Sequence, residues 1–126
     1  MRDRNKLINQ KRKSKKKRLK YNLKQKNINN LPRLIVFRSN NNIFIQLVDD
    51  EKNKTILSVS SLDKELKGAI DKVKSKIEKS TIVGMAVAEK MKMANIKKII
   101  FDRNGYKYHG RIKAVGDAIR SSEIQI

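Results

Sequence analysis

Cysteine is missing from all 126 residues, which excludes disulfides, thiolate metal sites and a cysteine nucleophile. Histidine occurs once, at His109, so a two-histidine metal site is out of reach and a Ser-His-Asp arrangement would have to use that one ring. Acids are scarce: 12 Asp and Glu stand against 32 Lys and Arg, a formal net charge of +20. No apolar run approaches the roughly 20 residues that span a bilayer. The basic start lacks the apolar stretch of a secretory signal. With hydrophobic residues at 38%, the length suits one domain with a real core plus an appended tail. The expectation is a cytoplasmic protein with no metal, no cofactor, no small-molecule substrate and no membrane partner.

What is present in excess is positive charge, and it calls for a polyanion. Nucleic acid and an anionic membrane surface both qualify. Part of the lysine content fits a Lys-, Asn- and Ile-rich composition of the kind AT-rich codons favour, and is discounted for that reason. The placement of the charge is more telling. Residues 1–26 hold 13 Lys or Arg and only Asp3, a balance of +12, while residues 27–126 carry +8. Leu7, Ile8, Leu19 and Leu23 are too few for a wide apolar face, which argues against a membrane. Like charges at helical spacing, such as Lys13 with Lys16 and Lys17, oppose a free helix. Residues 1–29 therefore read as a basic nucleic-acid-binding arm that becomes helical once phosphates screen it, and residues 30–126 as a single domain.

After Leu31-Pro32 the pattern turns to strands. Arg33 to Ser39 (RLIVFRS) alternates, with Leu34 and Val36 on one face and Ile35 and Phe37 on the other. Asn40-Asn41-Asn42 is turn chemistry, and Ile43 to Asp49 returns with Ile43, Ile45 and Leu47 on one face. A polar turn at Asp50 to Lys54 leads to a third strand, Thr55 to Ser60, completing an antiparallel meander. Residues 62–80 are Lys-rich, with weak helical spacing at Leu62, Leu66, Ile70, Val73 and Ile77. Ile82 to Ala94 predicts a helix with Ser80 or Thr81 as N-cap and Asn95 as terminator. Its Gly84, Ala86 and Ala88 suit close packing on a sheet, and Met85, Met91 and Met93 read as core fillers. Lys97 to Asp102 reads as a buried parallel strand, followed by a helix from about His109 or Gly110 to Ser121 with Ile112, Val115 and Ile119 inward. The fold class is α/β: a mixed sheet, three antiparallel strands plus a parallel one, covered by helices.

The residues offer little to catalysis. No nucleophile elbow or Gly-rich phosphate loop accompanies Asp102 and His109. Two-metal nuclease chemistry would have to use Asp49 and Asp102, and such sites usually need three or four acids. Asp49, Asp50 and Glu51 suit a solvated turn better. The segment Asp102 to Arg111, DRNGYKYHGR, is different in kind. Around the tight-turn pair Asn104-Gly105 stand Arg103, Tyr106, Lys107, Tyr108, His109 and Arg111, in a chain with only 5% aromatics. Rings interleaved with guanidinium groups suit unstacked RNA bases and their phosphates. A bland reading has Tyr106 and Tyr108 packing the helix end. The first hairpin, Phe37 to Phe44, is a second candidate, with Arg38, Ser39 and the asparagines at its tip and Phe44 and Gln46 on the outer face. In the bland reading Phe44 is core. A nonspecific nucleoid-type DNA-binding protein is the alternative function.

RLIVFRSNNNIFIQLVDD (Arg33 to Asp50), the third strand ending SVSSLDKEL, and FDRNGYKYHGRIKAVGDAIR (Phe101 to Arg120) resemble, in order and separation, the bacterial large-subunit ribosomal protein eighteen family. The likeness runs from about Arg12 onward. It implies a non-enzymatic structural constituent of the large ribosomal subunit that binds 5S rRNA and helps attach it to 23S rRNA in the central protuberance. The implied neighbours are the fifth and, in some bacteria, the twenty-fifth large-subunit proteins. The implied RNA contacts are Lys11, Arg12, Lys13, Lys15, Lys16, Lys17, Arg18 and Lys20 in the arm. In the hairpin they are Arg38, Ser39, Asn40, Asn41, Phe44 and Gln46, and in the loop Arg103, Tyr106, Tyr108, His109 and Arg111. Two features depart from the family pattern. Asn104 stands where a second small or rigid turn residue is common, and the segment from Lys67 to Lys79 is longer and more Lys-rich.

Overall fold

The structure, a computed structural model, describes residues 31–126, together with Gln10, Lys11, residues 13–15 and Lys17 of the arm. Those arm residues are helical, with Lys11, Lys13 and Lys17 exposed and Lys15 half-buried. Arg12, Lys16, Arg18 and Lys20 lie outside the described residues, as does most of the 1–29 arm.

Alternation in the first three strands produces the expected meander. Strand β1 (Arg33–Arg38) pairs antiparallel with β2 (Ile43–Asp49), setting Leu34 against Leu47 and Val36 against Ile45. Strand β3 (Lys54–Ser60) pairs antiparallel with β2, setting Val59 against Ile45 and Leu57 against Leu47, with a bulge between Leu47 and Val48. Leu34, Val36, Ile45 and Leu47 are wholly buried, each contributing about 1.5–3 kcal/mol of burial. The connecting turns are held by side chains. Ser39 N–H donates to Asn42 O (2.9 Å) and Asn42 N–H to Ser39 Oγ (3.2 Å). In the second turn Asp49 Oδ1 accepts from the N–H groups of Glu51 (3.0 Å) and Lys52 (3.3 Å), and Asn53 takes a left-handed φ of 53°.

The Lys-rich segment forms a 3₁₀ turn (Lys64–Leu66), then the short helix α1 (Lys67–Asp71). Of its expected apolar stripe only Ile70 is fully buried, and Leu62 (73%) and Ile77 (52%) are exposed. Helix α2 runs Lys76–Met93, beginning six residues before the expected Ile82. The reason is Ser75, whose hydroxyl accepts from Glu78 N–H at 3.0 Å as the N-cap of a Ser-x-x-Glu sequence. Ser80 and Thr81 are not caps: their hydroxyls donate back to Lys76 O (2.8 Å) and Ile77 O (3.1 Å). Termination is as expected. Asn95 adopts φ 61°, with Ile96 N–H on Met91 O (2.8 Å) and Asn95 N–H on Lys92 O (3.0 Å), a Schellman motif. Only Met91 is a core filler; Met85 (53%) and Met93 (81%) project into solvent. Gly84 permits close packing, but against a helix rather than the sheet. A Cβ there would stand 2.9 Å from Ala118 Cβ and 3.0 Å from Val115 O.

Strand β4 (Ile100–Asp102) pairs parallel with β1, placing Phe101 beside Leu34. The sheet order is β3-β2-β1-β4, so β4 is an edge strand. The first residues of the expected 97–102 strand pair elsewhere: Ile99 N–H donates to Gln125 O and Gln125 N–H to Lys97 O, both at 2.9 Å. Helix α3 (Arg111–Ser121) buries Ile112, Val115 and Ile119. One apolar cluster joins these to Val83, Val87 and Met91 of α2 and to the inner face of the sheet. The result is a two-layer α/β domain, with a mixed sheet on one side and α2 packed against α3 on the other.

Candidate nucleic-acid interface

The parallel pairing of β1 with β4 carries both chains to the same end of the sheet, where each enters a loop. The β1–β2 hairpin tip and the 103–110 loop, far apart in sequence, therefore meet. Arg111 Nη1 donates to Ser39 O at 2.6 Å. Tyr106 donates its hydroxyl to Arg38 O (3.3 Å) and accepts from Arg38 N–H (3.5 Å), while the Arg38 guanidinium lies 4.8 Å from the Tyr106 ring centre. The stacked pair presents a ring and a cation together, a combination suited to nucleobases and phosphates. Arg38, Asn40, Asn41, Lys107 and His109 are exposed, and Arg103, Tyr106 and Arg111 half-buried.

The loop's shape is set from below. Asn104 N–H donates to Asp102 Oδ1 at 2.8 Å, and Asn104 (φ 57°) and Gly105 (φ 82°) turn in succession through left-handed conformations. Asn104 is only 2% exposed, so it shapes the loop and offers nothing to a ligand. Asp102 in turn faces a buried arginine. Arg33 Nη2 lies 3.2 Å from Asp50 and Nη1 3.6 Å from Asp102, with side-chain exposures of 5%, 21% and 7% respectively. Among the described residues, Arg33 Nε and Nη1 find no hydrogen-bond acceptor, Nη1 keeping only its ion pair with Asp102. The acidic turn is thus only partly solvated, and Asp102 and Asp50 flank a guanidinium. Asp49, which two-metal chemistry would have had to pair with Asp102, caps its own turn. Among the described residues no group of three or more His, Cys, Asp or Glu could hold a metal ion.

The two tyrosines divide the readings between them. Tyr106 belongs to the surface pair with Arg38. Tyr108 packs the helix end, as the bland reading had it: its ring stands edge-on to Phe101 (centres 6.0 Å apart, 88°) and lies across Gly116, where a Cβ would come within 3.0 Å of Tyr108 Cε2. Its hydroxyl accepts from Arg120 Nη1 at 2.9 Å. Burial pushes the Tyr108 phenol above the ordinary tyrosine value, Arg120 pulls it down, and Asp117 pushes it up again. Phe44 is not core. It and Gln46 sit half-buried on the face opposite the helices. The Phe44 ring is 5.9 Å from Phe37, beside an open groove of about 400 Å³ that Arg38, Ser39 and Leu62 also line. Sequence reasoning missed Arg33, Arg120, and Lys76 and Lys79, which face the hairpin tip across a small cleft. The Ser75-x-x-Glu78 signature, read as a helix start, would have found the last two.

A two-layer domain that gathers cations, side-chain amides and aromatic rings at one end of its sheet is of the polyanion-binding class. Comparison with known proteins gives that class a family. The family model for ribosomal L18 of archaea, bacteria, mitochondria and chloroplast matches residues 6–126. The large ribosomal subunit protein uL18 of Methylobacterium radiotolerans is 48% identical over 97 residues, covering 77% of this chain and 80% of the relative. That of Fusobacterium nucleatum is 52% identical over 91 residues (72% and 74%), and that of Prochlorococcus marinus strain MIT 9515 50% over 91 residues (72% and 75%). The chain belongs to the ribosomal L18 family. It is a structural, rRNA-binding constituent of the large ribosomal subunit and not an enzyme.

Proposed function

We propose that the protein binds 5S rRNA and helps attach it to 23S rRNA in the central protuberance, beside the fifth and, where present, the twenty-fifth large-subunit proteins. The observation that carries this reading is the meeting of hairpin tip and loop, tied by Arg111 to Ser39 and by Tyr106 to Arg38. A rigid surface built from two loops reads the shape of a folded RNA, whereas a charged tail alone does not. Arg38, Arg103 and Arg111 supply the few bidentate or stacking contacts, because lysines outnumber arginines 23 to 9 and act as point charges. Ser39, Asn40, Asn41 and His109 add hydrogen bonds at the rim. Phe44 and Gln46 offer a stacking face and an amide beside it. The arm lysines and arginines supply most of the salt-dependent affinity.

The division of labour is testable in two variants. Deleting residues 1–26 flattens the slope of log affinity against log salt and leaves the domain folded by circular dichroism. Arg38→Ala weakens 5S rRNA binding more than binding of a length-matched unrelated RNA. An unchanged slope removes the arm from the electrostatic footprint, and equal losses on both RNAs reduce the loop end to a nonspecific patch.

A further inference from the structure

Between the hairpin tip and the first turn of α2 lies a small polar cleft lined by Asn41, Asn42, Ser61, Lys76, Lys79 and Arg111, among others. Its chemistry is one-sided. Three cations from two helices border it, and no ion pair involves any of them among the described residues. Three of the side-chain oxygens on its wall are already engaged. Ser61 Oγ donates to Asn42 Oδ1 (3.0 Å) and accepts from Ile43 N–H (3.1 Å). Asn42 is thereby oriented with its Oδ1 turned to Ser61, and among the described residues no bond from its Nδ2 is seen. Ser80 Oγ, also at the cleft, spends its proton on Lys76 O. Glu78 is the acid nearest in sequence, and at about 100° per residue it stands about 160° around α2 from Lys76 and about 100° from Lys79, off the side they share. What the cleft offers a ligand is therefore mainly the three cations and amide donors.

We infer that this cleft is a phosphate-oxygen site, and that its occupant is a backbone phosphate of bound RNA. Size favours a diester over a free nucleotide. The enclosed space is about 10 Å³, room for one water-sized atom, so one anionic oxygen enters while the rest of the group stays outside. Position favours RNA. Arg111 lines the cleft and also ties the hairpin tip through Ser39, so the site is continuous with the proposed interface and extends it onto α2. The inference rests on the RNA reading above and assigns a role to the Lys-rich segment that departs from the family pattern.

The test replaces Lys76 and Lys79 by glutamine and, as a control of equal charge change, Lys90 and Lys92 on the same helix. The two pairs are separated by about 20 Å along α2, well beyond the screening length of about 8 Å. Binding of 5S rRNA and of an unrelated RNA is measured across a salt series. The Lys76→Gln/Lys79→Gln protein is expected to bind roughly tenfold more weakly, with a salt slope lower by about one unit. The Lys90→Gln/Lys92→Gln protein changes far less. Equal losses in the two variants overturn the site, because net charge alone would then be at work. Selective loss on both RNAs in a protein with no preference for 5S supports the site while contradicting the 5S reading. In a second arm, inorganic phosphate is titrated while the amide resonances of residues 76–79 are followed. Saturation by free phosphate in a protein whose RNA affinity ignores Lys76 and Lys79 overturns the backbone assignment.

Discussion

Replacing Arg33 by methionine probes the contact that holds the loop end of the domain from beneath. Arg33 is 4% exposed and faces Asp102, also buried, and Asp50. Removing one partner of a buried ion pair costs about 3–5 kcal/mol, because a charge is left without compensation. Two features reduce that figure here. Asp50 keeps 21% of its side-chain surface and is rehydrated, and Asp102 retains the Asn104 N–H. In addition, Arg33 Nε has no acceptor among the described residues, and deleting an unsatisfied buried donor removes a penalty of about 1–3 kcal/mol. The expected net loss is about 2–3 kcal/mol, out of a total stability of about 5–15 kcal/mol. In urea this moves the midpoint down by about 1–2 M. Asp102→Asn keeps the acceptor for Asn104 and leaves Arg33 with Asp50, so its loss is smaller. Asp50→Asn, at the more exposed end, loses least. The assay is equilibrium urea unfolding followed by circular dichroism. An Arg33→Met protein within about 0.5 kcal/mol of the parent, or the reverse order of the two aspartates, refutes the reasoning.

Two glycines on helices respond oppositely to alanine. Gly84→Ala drives a Cβ into Ala118 and the Val115 backbone and costs about 1–3 kcal/mol, whereas Gly68→Ala meets nothing within 4 Å and gains about 0.5–1 kcal/mol; urea midpoints give both signs. Ser75→Ala removes the α2 cap and lowers stability by about 1 kcal/mol, with loss of amide protection confined to the first turn of the helix. Tyr108 is neutral-favouring in the folded state, so the stability it contributes is complete below the ordinary tyrosine value of about 10 and falls away as pH rises through the raised folded value. Comparing the alkaline loss of stability in the parent and in Tyr108→Phe isolates this component, and identical pH profiles exclude it.

The meander was legible because the first two strands each alternate an apolar inner face, and Leu34, Val36, Ile43, Ile45 and Leu47 are buried as alternation requires. The Ile112, Val115 and Ile119 stripe was legible for the same reason at helical period. The start of α2 was misjudged because three hydroxyls, Ser75, Ser80 and Thr81, compete as caps. Only the partner three residues on, Glu78, separates a cap from hydroxyls that bond back into the helix. Met85 and Met93 carry no local mark distinguishing them from Met91, since their exposure depends on which side of α2 meets α3. Loop and hairpin were each singled out as sites. Their meeting depends on β4 docking beside β1, a long-range pairing no local pattern states. Which tyrosine packs the helix end was not legible because Gly116, the residue that makes room for the Tyr108 ring, lies on the next helix. Arg33 opens an apolar strand like any terminal cation, and its burial follows from Asp50 in the β2–β3 turn and Asp102 at the end of β4 closing on it.

The central claim is selective recognition of 5S rRNA by the folded end of the domain. Its most direct test is competition at an ionic strength of about 0.15 M, with labelled 5S rRNA challenged by length-matched unrelated RNA and by duplex DNA. The account predicts that the complex survives both competitors, and that Arg38→Ala abolishes the advantage. Equal displacement by 5S rRNA, unrelated RNA and DNA would contradict it, reducing the isolated protein to its charge.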